Sequence, residues 1–335
     1  MNAELLIMFT LDCNRAYLYA HPERELTAEE MSRYDDAIGR RTTGVPAQYI
    51  TGHQEFWGMD LIVTPAVLIP RPETEHVVEA VLEVISRDQV PSGPRGRTGP
   101  ALSERSESKG VFAPHERGRG AGGGPALRLV DVGTGSGAIA LALAAEMPSA
   151  EIHATEISAE ALEVAQANAA RHELSSRIAF HRADLLGCFL RSRSDQGFQP
   201  GLETSGGLAA SCVAPAVVAA TPLSAGDPTR RGEFDFVVSN PPYVGEAEED
   251  QVQLEVRKFE PRDAVFGGPT GLEVIQRLIP QAHEALRPGG WLVFEISGTI
   301  AEGVRRLLAR WDEVAIKNDL QGIARVAVAR KSPSR

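Results

Sequence analysis

Between residues 127 and 147 the chain runs from an apolar segment, Leu127 to Val132, through Gly133-Thr134-Gly135-Ser136-Gly137 into a nearly all-apolar stretch from Ala138 to Met147. A strand covered on both faces reads as a continuous apolar run, so the first segment is a central strand of a sheet flanked by helices. The last segment is its crossover helix. The glycines between them permit a sharp turn and close approach of a ligand to the backbone, while the helix start supplies unpaired N–H groups. A strand–glycine loop–helix unit of this kind commits the chain to an α/β fold with a ligand at the carboxyl end of the strand.

The rest of the chain extends that unit. Glu151 to Thr155 is the next strand, ending in Glu156, and Ser158 caps a helix whose Leu162, Ala165 and Ala169 share a face. Ile178 to Arg182 is a third strand, ending before Asp184, and Phe234 to Val238 a fourth. Ala247 to Phe259 is charged and helical or mobile. An amphipathic helix over Thr270 to Leu286 leads through a Pro288-Gly289-Gly290 turn to an apolar strand, Trp291 to Ile296. Val314 to Lys317 and Ile323 to Ala329 form a closing hairpin. The order is that of a doubly wound, mostly parallel sheet. Ahead of it, residues 11–45 predict two short helices, one starting at Thr27-Ala28-Glu29-Glu30. Ala47 to Ile69 reads as an extended hairpin broken by Gly52 and Gly58 and stopped by Pro70-Arg71-Pro72. Glu73-Thr74-Glu75 then opens a helix to about Ile85, its acids at the positive end of the dipole. These readings divide the chain into a helical region at 1–45, a linking β-hairpin at 46–72 and an α/β domain at 73–330. Two segments, 88–125 and 191–232, lack apolar periodicity and read as disordered insertions that bury too little to offset their ordering entropy.

Composition narrows the class of partner. A 335-residue chain that is 43% hydrophobic and 24% charged can bury a sizeable core. No apolar run is long enough to span a membrane, and Met1 to Thr10 has no basic start or small-residue cleavage site, so a cytoplasmic enzyme is expected. Cys13, Cys188 and Cys212 are widely spaced and show no metal-ligand pattern, which predicts reduced thiols and no metal. A formal net charge of −11 argues against affinity built on phosphate contacts and favours a protein partner.

The reaction centre is predicted at Ser239-Asn240-Pro241-Pro242-Tyr243, where two prolines end the fourth strand and turn it out of the sheet. Asn240 offers a side-chain carbonyl, Asn240 and Pro241 offer main-chain carbonyls, and Tyr243 offers a flat apolar face. Together they suit a planar NH2 group. The loop Gly133 to Ala138 also fits the G-x-G-x-x-A pattern of nicotinamide enzymes, but that pattern alone is weak. Asp131 would set an anion where a pyrophosphate would lie, whereas it suits an aminoacyl ammonium. Hydride chemistry has no need of Asn240. Glu156 stands at the distance past the glycines where an acid meets a ribose diol.

Asp131-Val132-Gly133-Thr134-Gly135-Ser136-Gly137, Glu156 and Asn240-Pro241-Pro242-Tyr243, in that order, resemble a class I S-adenosylmethionine-dependent methyltransferase acting on a planar NH2 group. More narrowly, Tyr49-Ile50-Thr51-Gly52, Leu68-Ile69-Pro70-Arg71-Pro72-Glu73-Thr74-Glu75 and Glu260-Pro261-Arg262 with Gly267-Gly268 resemble the HemK-type family, PrmC. That family methylates a glutamine of peptide chain release factors. The resemblance spans about residues 11–330 outside the insertions, leaves out Met1 to Thr10, and implies a Rossmann-like, seven-stranded sheet preceded by a substrate-docking helical domain, here shortened. By resemblance, Asp131, Gly133 to Gly137, Glu156, Asp184 and Asn240 would hold S-adenosylmethionine. Asn240, Pro241, Pro242 and Tyr243 would hold the side-chain amide of the glutamine in a Gly-Gly-Gln loop. The implied partner is a release factor, with no membrane or direct nucleic-acid contact and a monomeric enzyme. The runner-up is an adenine-N6 methyltransferase of RNA or DNA, and a non-catalytic adenosine-binding module is third. The acidic charge and the run from 70 to 75 favour the protein substrate. His53 and His181 read as structural or surface residues, and Glu295, near a strand end, as a supporting hydrogen-bond partner.

Overall fold

The computed structural model describes residues 2–89, 126–190 and 232–333. The chain opens with four helices, α1 (Asn2–Leu11), α2 (Arg15–Ala20), α3 (Ala28–Thr42) and α4 (Ala47–Thr51). α3 starts where expected, with a capping box: Thr27 Oγ1 accepts from Glu30 N–H at 3.2 Å and the Glu30 carboxylate accepts from Thr27 N–H at 2.9 Å. The two helices expected within 11–45 are α2 and α3; α1 is unannounced by the sequence, and one expectation fails, at α4. α1 is apolar nearly all round, so it lacks the one-sided pattern that marks a surface helix. α4 occupies part of the expected hairpin, because five residues are too few to show a helical period before Gly52 ends the turn at φ +78°. Leu6, Ala37 and Ile50 bring α1, α3 and α4 together in a small core.

The hairpin itself is short. β1 (His53–Phe56) and β2 (Met59–Ile62) pair antiparallel around Trp57-Gly58, which have φ +54° and +73°, the left-handed pair that suits the twist of a two-residue turn. A 3-10 turn at Pro72–Thr74 leads into α5 (Glu75–Gln89). α5 continues past the predicted stop: Asp88 accepts from Trp291 Nε1 at 3.3 Å instead of opening an insertion. Apart from Asp88, Gln89 and Gly232, the two expected insertions lie outside the described residues.

β3 (Arg128–Val132), α6 (Ala138–Glu146), β4 (Glu151–Glu156), α7 (Ala159–Arg171), β5 (Ile178–Arg182) and β6 (Phe234–Ser239) follow the expected alternation. α8 (Leu254–Phe259), α9 (Arg262–Val265) and α10 (Glu273–Ala285) lead to β7 (Leu286–Glu295), and α11 (Ala301–Leu307) precedes the hairpin of β8 (Asp312–Asn318) and β9 (Ala324–Arg330). The seven-stranded sheet has the order β5-β4-β3-β6-β7-β9-β8, parallel up to β7 and antiparallel through β9 and β8. The predicted turn at Pro288-Gly289-Gly290 lies inside β7. Leu286 pairs with Phe234, the register shifts, and Trp291 pairs with Phe236, so the turn-forming residues are absorbed in a bulge with Gly289 at φ +79°.

Helices cover both faces. Leu129, Ile152, Phe236 and Val293 pack with Val77 and Val81 of α5 and Leu141 of α6 on one side. Val130, Val237, Leu292 and Phe294 pack with Ile275 and Leu278 of α10 and Val304 of α11 on the other. Each such fully buried side chain contributes about 1.5 to 3 kcal/mol. The strand order reverses between β3 and β6, which are direct neighbours with Val132 opposite Ser239. That reversal opens the crevice where an open α/β sheet receives its ligands.

Candidate active site

Four adjacent strand ends line the crevice, contributed in spatial order by β4, β3, β6 and β7. They deliver Glu156, the glycine loop, Asn240 and Glu295 side by side. Ser239 Oγ donates to the Val132 carbonyl at 2.7 Å, tying the turn after β6 to the loop after β3.

The three glycines have separate tasks. Gly133 and Gly135 have φ +69° and +56°, and a Cβ added to either would meet nothing within 4 Å, so both backbones border open space. Gly137, at φ +86°, presses on Leu141 and Ala165 and sets the spacing of α6 and α7. It also starts α6 without a side-chain cap, leaving N–H groups of the helix start available. Glu156 spans the loop: Oε2 accepts from Gly135 N–H at 2.9 Å, and Oε1 from Ile157 N–H at 2.9 Å and Ser158 N–H at 3.0 Å. A carboxylate has about four acceptor positions, so one is left unfilled by these three bonds. Asp131 lies beneath the loop, 1% exposed. Its Oδ2 accepts from Thr134 Oγ1 at 2.6 Å and Ala140 N–H at 3.2 Å, while Oδ1 is buried without a partner among the described residues. Burial raises its pKa to about 7, against the pull of those two hydrogen bonds. Open space over two glycines, a spare acceptor and an orphaned acid together fit a ligand with a diol and a cationic group. Asp184, just past β5, forms an ion pair with Arg277. Among the described residues no cluster of three metal-ligating side chains occurs.

On the other side, Asn240 Nδ2 donates to Thr74 Oγ1 at 3.2 Å. Its Oδ1 therefore stays an open acceptor, next to the main chain of Pro241. The Tyr243 hydroxyl donates to Glu295 Oε1 at 2.8 Å, and burial beside that carboxyl raises the tyrosine pKa well above its ordinary value. The phenol stays neutral. The backbone of the turn is braced by glycines: a Cβ on Gly267 would sit 2.4 Å from the Pro242 carbonyl oxygen, and one on Gly271 2.3 Å from that of Tyr243. Only glycine permits these approaches. Val244 N–H to the Val265 carbonyl (3.1 Å) and Gly267 N–H to the Val244 carbonyl (3.0 Å) complete the brace.

Residues that the sequence marked without assigning a task find one here. Glu260 accepts from Ile69 N–H at 3.1 Å and pairs with Arg71, joining the run at 68–75 to the segment after the turn. Arg262 grips Glu249 with two hydrogen bonds, 2.9 and 3.1 Å. Thr74 was visible only as part of that run. Asn168 carried no signal, yet it bonds Ile62 through both N–H (2.6 Å) and carbonyl (3.0 Å) and reaches the Ser136 carbonyl at 2.9 Å. It fastens the hairpin to the glycine loop. His53 pairs with Asp60 on that hairpin at 3.2 Å, and His181 pairs with His153 at 3.0 Å; burial beside His153 drops the pKa of His181 to about 4. Neither histidine belongs to the crevice.

Known proteins place this architecture. A family model described as the PrmC N-terminal domain matches residues 1–52, and one described as a methyltransferase domain matches residues 124–198. A release factor glutamine methyltransferase of Koribacter versatilis is 44% identical over 334 residues, which cover 100% of this chain and 92% of the relative. The chain belongs to the release factor glutamine methyltransferase family. Members from Chlorobaculum tepidum and Nitratidesulfovibrio vulgaris are 34% and 32% identical, with 97% and 99% of this chain and 88% of each relative covered. The N-terminal match corrects one reading: residues 1–10, set outside the resemblance, fall within the matched domain, as does α1 (Asn2–Leu11). As a release factor glutamine methyltransferase family member, the chain is a methyltransferase built on the class I sheet. No helix among the described residues is long and apolar enough to cross a membrane.

Proposed function

We propose that this protein transfers a methyl group from S-adenosylmethionine to the side-chain amide nitrogen of the glutamine in a Gly-Gly-Gln loop of a peptide chain release factor. The observation that carries this is the orientation of Asn240: its NH2 is engaged by Thr74, so its oxygen is left to accept from an incoming NH2 group. Pro241 supplies a second acceptor from its main chain, and with no N–H of its own it cannot compete for either.

Asp131, the glycine loop and Glu156 are the residues that would hold the cofactor, with Asp184 at the rim. When bound, the cofactor supplies a methyl group activated by sulfonium charge. An amide nitrogen is a poor nucleophile because its lone pair is delocalised into the carbonyl. Accepting both N–H bonds at Asn240 Oδ1 and the Pro241 carbonyl fixes the plane of the amide and polarises it, so positioning supplies most of the rate. Tyr243, neutral and tied at its hydroxyl, presents an immobile ring. No strong base is required, since methylation itself makes the nitrogen acidic and the proton can leave afterwards. In this reading the enzyme acts as a cytoplasmic monomer, on a protein rather than on nucleic acid.

The test is single-turnover methylation with labelled cofactor and mass spectrometry, using a bacterial release factor and, in parallel, an adenine-containing RNA. Label on the Gly-Gly-Gln peptide is the expected result. Label on the RNA alone would transfer the assignment to an adenine-N6 methyltransferase.

A further inference from the structure

Asn240 meets Thr74 through a hydrogen bond of 3.2 Å, and neither residue sits in a strand whose ladder would fix it in place. Thr74 closes the run from Ile69, which contains Pro70 and Pro72, and Asn240 is followed by Pro241 and Pro242. None of these prolines has an N–H, and both runs lie outside the strands of the two sheets. β6 anchors Asn240 and α5 anchors Thr74 from one side only. The register between the two residues therefore depends on contacts outside any ladder.

A third segment, starting at Glu260, supplies them. The Glu260 side chain is 1% exposed, and both of its oxygens are engaged on the first run: Oε2 accepts from Ile69 N–H at 3.1 Å and Oε1 from the Arg71 guanidinium. These partners flank Pro70, so one carboxylate holds the chain on both sides of a residue that has no N–H to offer. The Arg71 carbonyl in turn accepts from Thr74 N–H at 3.0 Å, which sets Thr74 against the residue that Glu260 grips. Further along the same segment, the Val265 carbonyl accepts from Val244 N–H at 3.1 Å and Gly267 N–H donates to the Val244 carbonyl at 3.0 Å. Residues 260–267 thus hold the Thr74 run at one end and the Asn240 turn at the other.

We propose that Glu260 is a positioning residue for methyl transfer: with Arg71 it sets the place of Thr74, and through Thr74 the aim of the Asn240 amide. This rests on the reading that Asn240 holds the substrate amide. Fold stability alone accounts poorly for the choice of an acid. Burying a carboxylate is costly, and a buried ion pair gains little over an apolar pair of the same volume. Its hydrogen bonds, however, are directional. An apolar contact would let the proline run slide, whereas a carboxylate bound at two points holds it. Misplacing a reacting group by about 1 Å costs on the order of a hundredfold in rate, even when the cause lies away from the chemistry. Glu260 needs no contact with substrate or cofactor to have that effect.

The test uses variants of the full chain in single turnover on a release factor containing Gly-Gly-Gln. Half-saturation by the release factor, cofactor affinity and thermal midpoint are measured alongside. Glu260→Gln keeps the shape and an acceptor for Ile69 but leaves Arg71 unpaired. Its rate at saturation should fall by roughly tenfold to a hundredfold, with half-saturation and cofactor affinity within about twofold of wild type. Arg71→Met should slow transfer to a similar degree, and Arg71→Lys, which retains a cation for Glu260, should be at least about threefold faster than Arg71→Met. In an Asn240→Ala background neither Glu260→Gln nor Arg71→Met should cost more than about twofold further, because all act through one amide. A lowered thermal midpoint with the full rate in the folded fraction would overturn the proposal, since Glu260 would then serve stability alone. Losses that multiply with that of Asn240→Ala would also overturn it, and are what a direct contact of Arg71 with the substrate would produce. If Glu260→Gln does not fold, the Arg71 variants, alone and over Asn240→Ala, decide. Full activity of Asn240→Ala would overturn the substrate reading and the proposal with it, whereas a slow Asn240→Ala with multiplying losses overturns the role of Glu260 alone.

Discussion

The cofactor side and the substrate side of the crevice are made in different ways. At the ends of β3 and β4 the groups that shape the site are close in sequence: Glu156 reaches Gly135 across 21 residues, and Asp131 reaches Thr134 across three. At the ends of β6 and β7 they come from afar. Asn240 is oriented by Thr74, 166 residues away, Tyr243 by Glu295, 52 residues away, and the turn is braced by Gly267 and Gly271. The first side is a loop that folds with its own βαβ unit. The second exists only once the N-terminal segment, the turn and the glycine brace have docked on one another, so damage there should cost methyl transfer while sparing cofactor binding.

The largest effect should come from Asn240→Ala. Removing one preorganised acceptor predicts a loss of a hundredfold or more in the single-turnover rate, about 3 kcal/mol, with cofactor affinity in calorimetry nearly unchanged. An equal loss of cofactor affinity would show that the two sides are one unit. Next comes Gly271→Ala. Its Cβ would lie 2.3 Å from the Tyr243 carbonyl oxygen at a residue with φ +77°, and both partners are backbone, so neither can swing aside. Urea unfolding should show a loss of about 2 to 4 kcal/mol, with transfer impaired in the folded fraction and cofactor binding retained.

The same contrast governs what the sequence revealed. Strand β3, its glycine loop and α6 could be read directly because the apolar run, the glycines and the helix are contiguous and each has a local physical cause. Asn240 was legible because Pro241 and Pro242 end a strand. Its orientation was not, since no pattern links residue 74 to residue 240. Local signals also misled at two places. Pro288-Gly289-Gly290 has the composition of a turn, yet strand pairing on both sides turned it into a bulge. α1 is apolar on most of its surface and α4 is too short to show a period, so neither announced itself as helix.

On the cofactor side, Glu156→Ala sharpens the comparison. The carboxylate holds three backbone N–H groups and has one acceptor position left. Its removal should weaken S-adenosylmethionine binding by about 1 to 3 kcal/mol, through both a lost contact to the ligand and a loosened loop. The transfer rate at saturating cofactor should fall less than the affinity does. A variant that binds normally and transfers slowly would place Glu156 on the wrong side of the division.

The smallest effect concerns Asp131 and pH. Its pKa is raised from 3.8 to about 7 by burial, so in the free protein the folded state binds a proton more readily than the unfolded one between those values. The stability contributed by this group is therefore present at low pH and falls as pH rises toward about 7. A cationic group placed against the orphaned Oδ1 favours the carboxylate and lowers that pKa, so binding below about pH 7 must expel a proton. Cofactor affinity should accordingly rise with pH, approaching roughly tenfold per unit well below the pKa, and level off above it. Calorimetry at pH 6 in buffers of different ionisation enthalpy should register the released proton, and at pH 8 it should not. Asp131→Asn removes the titrating group and should flatten the profile while weakening binding at the upper end. A flat profile in the wild-type protein would mean that Asp131 serves only Thr134 and Ala140, holding the glycine loop on its helix without meeting the ligand.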